Sequence, residues 1–427
     1  MPGLRRTLGF GALTFYGVGI ILGAGIYSLL GEAAGLAGVS VWVAFLLASV
    51  AALLTGLSYA ELATMYPSAG AEYVYLGQAW PRATWLRGMV GWALVTASVA
   101  TAATVSLAFA GYASLFVGVP AAWIAIGLLV AVGLVNVIGV QEAAWANALF
   151  TVIEASGLVA LIVVGMKTPG FNEVFLAAPS SGVFAAAGLI FFAYLGFEDI
   201  ANLAEEAKNP SRDLPRAFLA AVVISTTLYV LAAAASVTLL EPAKLAESRS
   251  PLADAMRTQA PSLAGALGGV ALFATANTAL ITVMAASRLL YGMARGGDAP
   301  GFLAGTLPRR MTPAFGIGLV CIAAASFLPL GRVSAVGSVA SLLALSAFVC
   351  VNAALIRLRF SGHTQTRPFR VPGSVRRWPI LPTLGLIVCA MLMTQFGWTT
   401  YAIGAGALLF GLAMERVPWT RATERNV

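Results

Sequence analysis

The chain has 427 residues, 59% of them hydrophobic and only 10% charged, with a mean hydropathy of +0.89 and a net charge of +8. So little polar surface excludes a soluble protein of this length and leaves no room for a separate soluble domain. The positive charge calls for no nucleic-acid partner, because basic loops beside anionic lipid account for it.

Apolar runs of about 20 residues, the length that crosses a bilayer, predict twelve membrane-spanning helices. The first, 10–35, follows Arg5 and Arg6 and is interrupted by Gly17, Gly19, Gly23 and Gly25. It is longer than the apolar core of a signal peptide and reads as a retained span. The second, 39–63, ends at Glu61 and Tyr66, and 67–80 reads as a short interfacial helix near the inner mouth. Runs 85–117, 120–139 and 143–166 follow, the last carrying Glu154. The sixth, 182–202, is interrupted at Gly196 and carries Glu198 and Asp199 just beyond it. The stretch 204–217 mixes acids and bases and reads as a solvated cytoplasmic loop whose charges pair across an inner gate. Then come 216–240 and 264–291, the latter with Asn277, Thr278 and Thr282 about one turn apart, placed either to face the first break or to bond to neighbouring helices. Runs 313–330, 333–356, 379–396 and 398–414 complete the series. Cys321, Cys350 and Cys389 all fall inside runs and read as packing residues rather than a disulfide framework.

Every Lys and Arg lies at or beyond the end of a run. With a cytoplasmic N-terminus, twenty of the 25 fall on inner loops and tails, and only Lys167, Lys244, Arg249, Arg257 and Arg332 on outer ones. The bias predicts both termini on the cytoplasmic side.

The two glycine breaks, GVGIILGAGIY at 17–27 and LIFFAYLGFEDI at 189–200, open the first and sixth runs. Each therefore begins a block of five spans. Five is odd, so the second block starts from the opposite face, which is an inverted-topology repeat: about 10–166 and about 182–357, with two further helices at about 379–414. Glycine alone also serves close helix packing; the polar and charged residues beside the second break favour a site.

Four segments in order carry a resemblance over nearly the whole chain: GVGIILGAGIYSLLGEAAGLAG at 17–38, FFAYLGFEDIANLAEEAKNPSRDLPRA at 191–217, ASRLLYGMARGGDAPGFL at 286–303 and RPFRVPG at 367–373. The sequence resembles the amino acid-polyamine-organocation transporters. The resemblance implies an all-α polytopic membrane protein of about twelve transmembrane helices in one domain, with a leucine-transporter-like five-plus-five inverted repeat, two C-terminal helices, and helices one and six broken. It also implies secondary transport of amino acids or related amines.

The chemistry of an amino acid zwitterion fits the breaks. Its carboxylate suits the N–H groups at Gly23 and Gly25, where a half-helix begins and its dipole is positive. Its ammonium suits the carbonyls around Phe192, Ala193, Tyr194 and Leu195. By the resemblance, Ile21, Ala24, Phe192, Ala193 and Leu195 contact substrate, with Phe192 as a lid.

Ionisable groups at membrane depth are expensive and by default functional. That assigns Glu154, Glu198 and Asp199 to coupling or gating. Glu198 matches an acidic position linked in the family to gating and pH response. Glu154, in FTVIEASG at 150–157, stands where many bacterial symporters of the family have lysine. The reversed charge means that lysine's role does not carry over; Glu154 either carries a coupled proton or helps bind a cation.

No span interior holds a Lys or Arg, which disfavours acidic substrates; neutral amino acids lead, ahead of cationic amino acids or polyamines. The expectation is proton-coupled uptake across a plasma membrane, with sodium the less favoured ion, no cofactor and no metal. Amino acid or polyamine exchange, and a non-transporting amino acid sensor, remain open. A membrane enzyme has no catalytic constellation to rest on, since His363 is the only histidine, and no phosphate-binding loop supports ATP-driven transport.

Overall fold

The computed structural model describes residues 7–67, 71–139, 144–307, 310, 312–361, 366–415 and 417. Arg5, Arg6, Arg309, His363, Arg416, Arg421 and Arg425 lie outside the described residues, as does 68–70 of the expected interfacial helix.

A backbone in hydrocarbon has no water to bond with, so each apolar run closes its hydrogen bonds on itself as a helix. In chain order the helices are α1 (Phe10–Leu22), α2 (Ala24–Ala37), α3 (Val41–Met65), α4 (Ala71–Ala79), α5 (Thr84–Ala113), α6 (Ala121–Ile138), α7 (Ala144–Met166), α8 (Val183–Ile190), α9 (Pro210–Leu239), α10 (Pro242–Glu247), α11 (Pro251–Gln259), α12 (Pro261–Gly296), α13 (Ala314–Phe327) and α14 (Val333–Phe360). A two-stranded hairpin, β1 (Ser374–Val375) and β2 (Trp378–Pro379), precedes α15 (Ile380–Met393) and α16 (Trp398–Glu415). All twelve apolar runs carry helix. Eight described helical stretches are long and apolar enough to cross a membrane, and Phe10–Leu22, Ala314–Leu330, Ile380–Met393 and Trp398–Met414 are shorter apolar helices. The protein is an all-α, multi-pass membrane protein.

Small residues set the packing. α9 lies against α1, α3 and α7 and buries Ala232, Ala233, Ala234 and Ala235 completely, so neighbouring backbones approach closely where lipid offers no hydrophobic drive. α5 lies against α12, α14 and α16. Large apolar side chains such as Trp123, Leu134 and Ile322 point outward, as a lipid-facing surface requires.

Two boundaries differ from the sequence reading. α9 begins at Pro210, so 210–217 is its first two turns rather than solvated loop. Proline is pre-set for the first helical position and Asp213 complements the helix N-terminus. The residues before it are tied to the start of the chain: Leu8 N–H bonds to the Glu206 carbonyl at 3.0 Å, and Lys208 N–H to the Leu8 carbonyl at 2.8 Å. Among the described residues, the charges of 204–217 form no ion pair across a gate.

α14 runs on to Phe360, which brings Arg359 inside the bundle. Its guanidinium grips the fully buried Glu61 of α3 in a two-pronged pair, Nε to Oε1 at 2.9 Å and Nη2 to Oε2 at 2.5 Å. Arg367 Nη1 adds a bond to Oε1 at 2.7 Å and Val371 N–H one to Oε2 at 2.8 Å. A buried carboxylate so completely bonded ties the RPFRVPG segment to α3 and α14.

Candidate functional site

The two interrupted runs meet. α1 ends at Leu22 and α2 begins at Ala24, with Gly23 between them at φ −35° and ψ −150°. Opposite, α8 passes at Phe191 into a 3-10 turn, Phe191–Tyr194, and a second 3-10 stretch, Phe197–Leu203, starts after Gly196. Gly196 has φ +107°, left-handed backbone that favours glycine, and a Cβ there would stand 2.1 Å from Ile20 Cγ2. At Gly25 a Cβ would stand 2.3 Å from Ala193 Cα. Glycine at 25 thus lets the two interruptions touch backbone to backbone.

A single side chain joins them. The Tyr229 hydroxyl of α9 donates toward the carbonyls of both Ile21 and Ala193, the latter at 3.0 Å. One hydroxyl proton cannot fully satisfy two carbonyls, so acceptor capacity exceeds donors where the interruptions face each other. On the other side, the Ala24 N–H at the start of α2 donates to Thr278 Oγ1 of α12 at 2.9 Å. Of the three polar residues expected on α12, Thr278 therefore reaches the first interruption. Asn277 instead reaches Glu154, Nδ2 to Oε1 at 3.3 Å. Among the described residues, no side-chain bond places Thr282 at the site.

Glu154 is 1% exposed. Its own carbonyl receives the Tyr27 hydroxyl of α2 at 2.8 Å, which ties α7 to the half-helix after the first interruption. Glu154 Oε2 and Asn277 Oδ1 are both buried with no hydrogen-bond partner among the described residues. Two unpartnered acceptors thus sit on touching side chains, where a hydrogen-bond donor or a cation would be favoured.

Ile21, Ala24, Phe192 and Ala193 are buried around the meeting point, and Leu195 is half-buried. Glu198 and Asp199 lie beyond it, half-buried in the second 3-10 stretch. Glu198 Oε2 accepts the Gly196 N–H at 2.9 Å, and Asp199 Oδ1 accepts Asn202 Nδ2 at 3.1 Å. Neither forms an ion pair among the described residues.

Over residues 8–417 the chain matches the family model described as amino acid permease. The chain belongs to this amino acid permease family. It is a transporter of the amino acid-polyamine-organocation superfamily and not an enzyme. The permease is 28% identical to the branched-chain amino acid permease BcaP of Bacillus subtilis (strain 168), over 96% of this chain and 92% of that one. It is 27% identical to the methylthioribose transporter of the same organism, over 96% and 93%. It is 32% identical to the vacuolar cationic amino acid transporter 4 of Arabidopsis thaliana, over 82% and 63%.

Sequence reasoning passed over two residues of this permease. Tyr229 sits in an apolar run with nothing local to mark it; the one available signal was a phenol at span depth that needs a partner. Glu72 of α4 was read only as part of an interfacial helix. Its carboxylate accepts the Tyr59 hydroxyl at 2.7 Å. Burial raises the Glu72 carboxyl above its usual value, with the Tyr59 hydroxyl opposing the rise.

Proposed function

We propose that this permease takes up neutral amino acids across a plasma membrane by alternating access, coupled to protons, with both termini cytoplasmic. The observation that carries the reading is the contact between the two interrupted helices, where Tyr229 is shared by the Ile21 and Ala193 carbonyls. An ammonium is the donor that such paired carbonyls lack, and a carboxylate suits the N–H groups of the first turn of α2. Backbone at Ile21, Gly23, Ala24, Gly25, Ala193 and Leu195 then recognises the part common to all amino acids, and Phe192 covers it. The reading includes a five-plus-five inverted repeat, with helices one and six broken and α15 and α16 outside the repeats.

Selectivity for uncharged side chains rests on the groups around the meeting point, which are Ile21, Ala24, Phe192 and Ala193 rather than a base. The similarity to BcaP, a branched-chain amino acid permease, fits that choice. For coupling, the orphaned Glu154 Oε2 supports a proton carried there, with Asn277 as its partner and Glu198 and Asp199 serving the inner gate.

The test is uptake of a labelled amino acid panel by the purified protein in liposomes, under inward proton or sodium gradients and with or without amino acid inside. Accumulation into empty vesicles driven by the proton gradient is the expected result, and Glu154→Gln should bind substrate yet lose accumulation. A Glu154→Gln protein that kept its full response to both gradients would remove Glu154 from coupling. Uptake only into preloaded vesicles would replace symport by exchange, and binding without any uptake would make the protein a sensor.

A further inference from the structure

Between the last turn of α14 and the start of α15 the chain makes its only described hairpin, with Arg376 and Arg377 at the turn. Arg376 adopts φ +55°, left-handed backbone uncommon for a residue with a side chain, and its carbonyl is held by Arg370 Nη2 at 3.4 Å. Both turn arginines are exposed and form no ion pair among the described residues. The nearby buried acid, Glu61, is already taken by Arg359 and Arg367.

Arg376 and Arg377 line a shallow, mostly apolar groove of about 380 Å³ together with Phe360, Val375 and Trp378. Trp378 packs on Phe360 with ring centres 5.4 Å apart, yet both rings stay about half exposed, at 49% and 47%. A free anion would match the arginines and leave the apolar walls in water. An amphiphile matches both. The groove also sits where such a molecule ends, because Phe360 closes one apolar helix and α15 begins two residues after Trp378. Tryptophan at the end of a span marks the headgroup level.

We propose that this groove binds an anionic phospholipid, the phosphate on Arg376 and Arg377 and the upper acyl chain on Phe360, Val375 and Trp378. The site is joined to the bundle. Ser374, next to the groove, accepts Arg359 Nη1 at 3.0 Å, and Arg359 grips Glu61 of α3, so a lipid seated at the turn braces the segment that ties α3 to α14. The proposal stands apart from the transport reading, since it concerns neither the substrate nor the coupled ion.

The test uses the full-length protein in phosphatidylcholine vesicles doped with brominated phosphatidylglycerol or, in parallel, brominated phosphatidylcholine, and reads tryptophan quenching. Wild type should be quenched more by the anionic lipid. That excess should vanish in Trp378→Phe, and in R376Q/R377Q it should need about tenfold more phosphatidylglycerol, as expected when basic contacts to an anionic headgroup are lost. Arg332→Gln, at the opposite end of α14, should keep it. Equal quenching by the two lipids, an excess untouched by R376Q/R377Q, or an excess retained in Trp378→Phe would each overturn the proposal. So would loss of the excess on adding inorganic phosphate at constant ionic strength, which would make the groove a site for a free anion. Should R376Q/R377Q fail to fold, the Trp378→Phe comparison still decides.

Discussion

Gly25 shows how one missing methyl group shapes the meeting of the two interruptions. A methyl there would overlap Ala193 at 2.3 Å from its Cα and 2.8 Å from its Cβ, both parts of a buried wall that has nowhere to go. Gly11, on the same apolar run, has nothing within 4 Å of an added Cβ. Gly25→Ala should therefore separate the two breaks, reduce transport to background and lower the thermal midpoint by an amount matching about 1–3 kcal/mol of overpacking. Gly11→Ala should leave both unchanged. Uptake in proteoliposomes and thermal unfolding in detergent read the two effects; full transport by Gly25→Ala would mean the close approach is not part of the working site.

At the scale of elements, α4 lies against α5 and α14, with Glu72 bonded to Tyr59 of α3. Burial raises the Glu72 carboxyl, so the folded chain keeps its proton at pH values where the unfolded chain has lost it. The folded state then binds more protons, and its stability falls as pH rises from the ordinary glutamate value through the raised one. Glu72→Gln titrates in neither state. Its melting temperature should gain on wild type as pH rises through that window and hold the gain above it, in melts taken side by side across pH; a constant offset would place the Glu72 proton outside the folding balance. The apolar helices themselves were legible because runs of about 20 apolar residues bounded by polar residues leave few alternatives. What was not legible depends on partners far away in the chain. Tyr229 reaches Ile21 and Ala193 across 208 and 36 residues, and Arg359 is drawn into α14 by Glu61, 298 residues earlier. A helix boundary such as Pro210 was missed because the charges of 204–217 outweighed the proline signal in front of them.

For the whole molecule, charge placement and connectivity make one joint claim about orientation. Arg82 precedes α5, and Lys167 follows α7 after three apolar helices; Arg332 follows α13, seven spans beyond Arg82 if α8 and its 3-10 continuation count as one. All three residues are exposed. Odd numbers of crossings would put Lys167 and Arg332 together on the face opposite Arg82, and the excess of Lys and Arg on the Arg82 side predicts that side to be cytoplasmic. In a background with Cys321, Cys350 and Cys389 replaced by alanine, single cysteines at 82, 167 and 332 give a direct reading. An impermeant maleimide added to intact cells should label 167 and 332, and should label 82 only after permeabilisation. The opposite pattern would invert the protein and move the groove at Arg376 and Arg377 to the outer leaflet. Labelling of 82 and 332 from the same side would do more: an even number of crossings between them is incompatible with two five-span blocks of opposite orientation, and the inverted repeat would fall even with the family assignment intact.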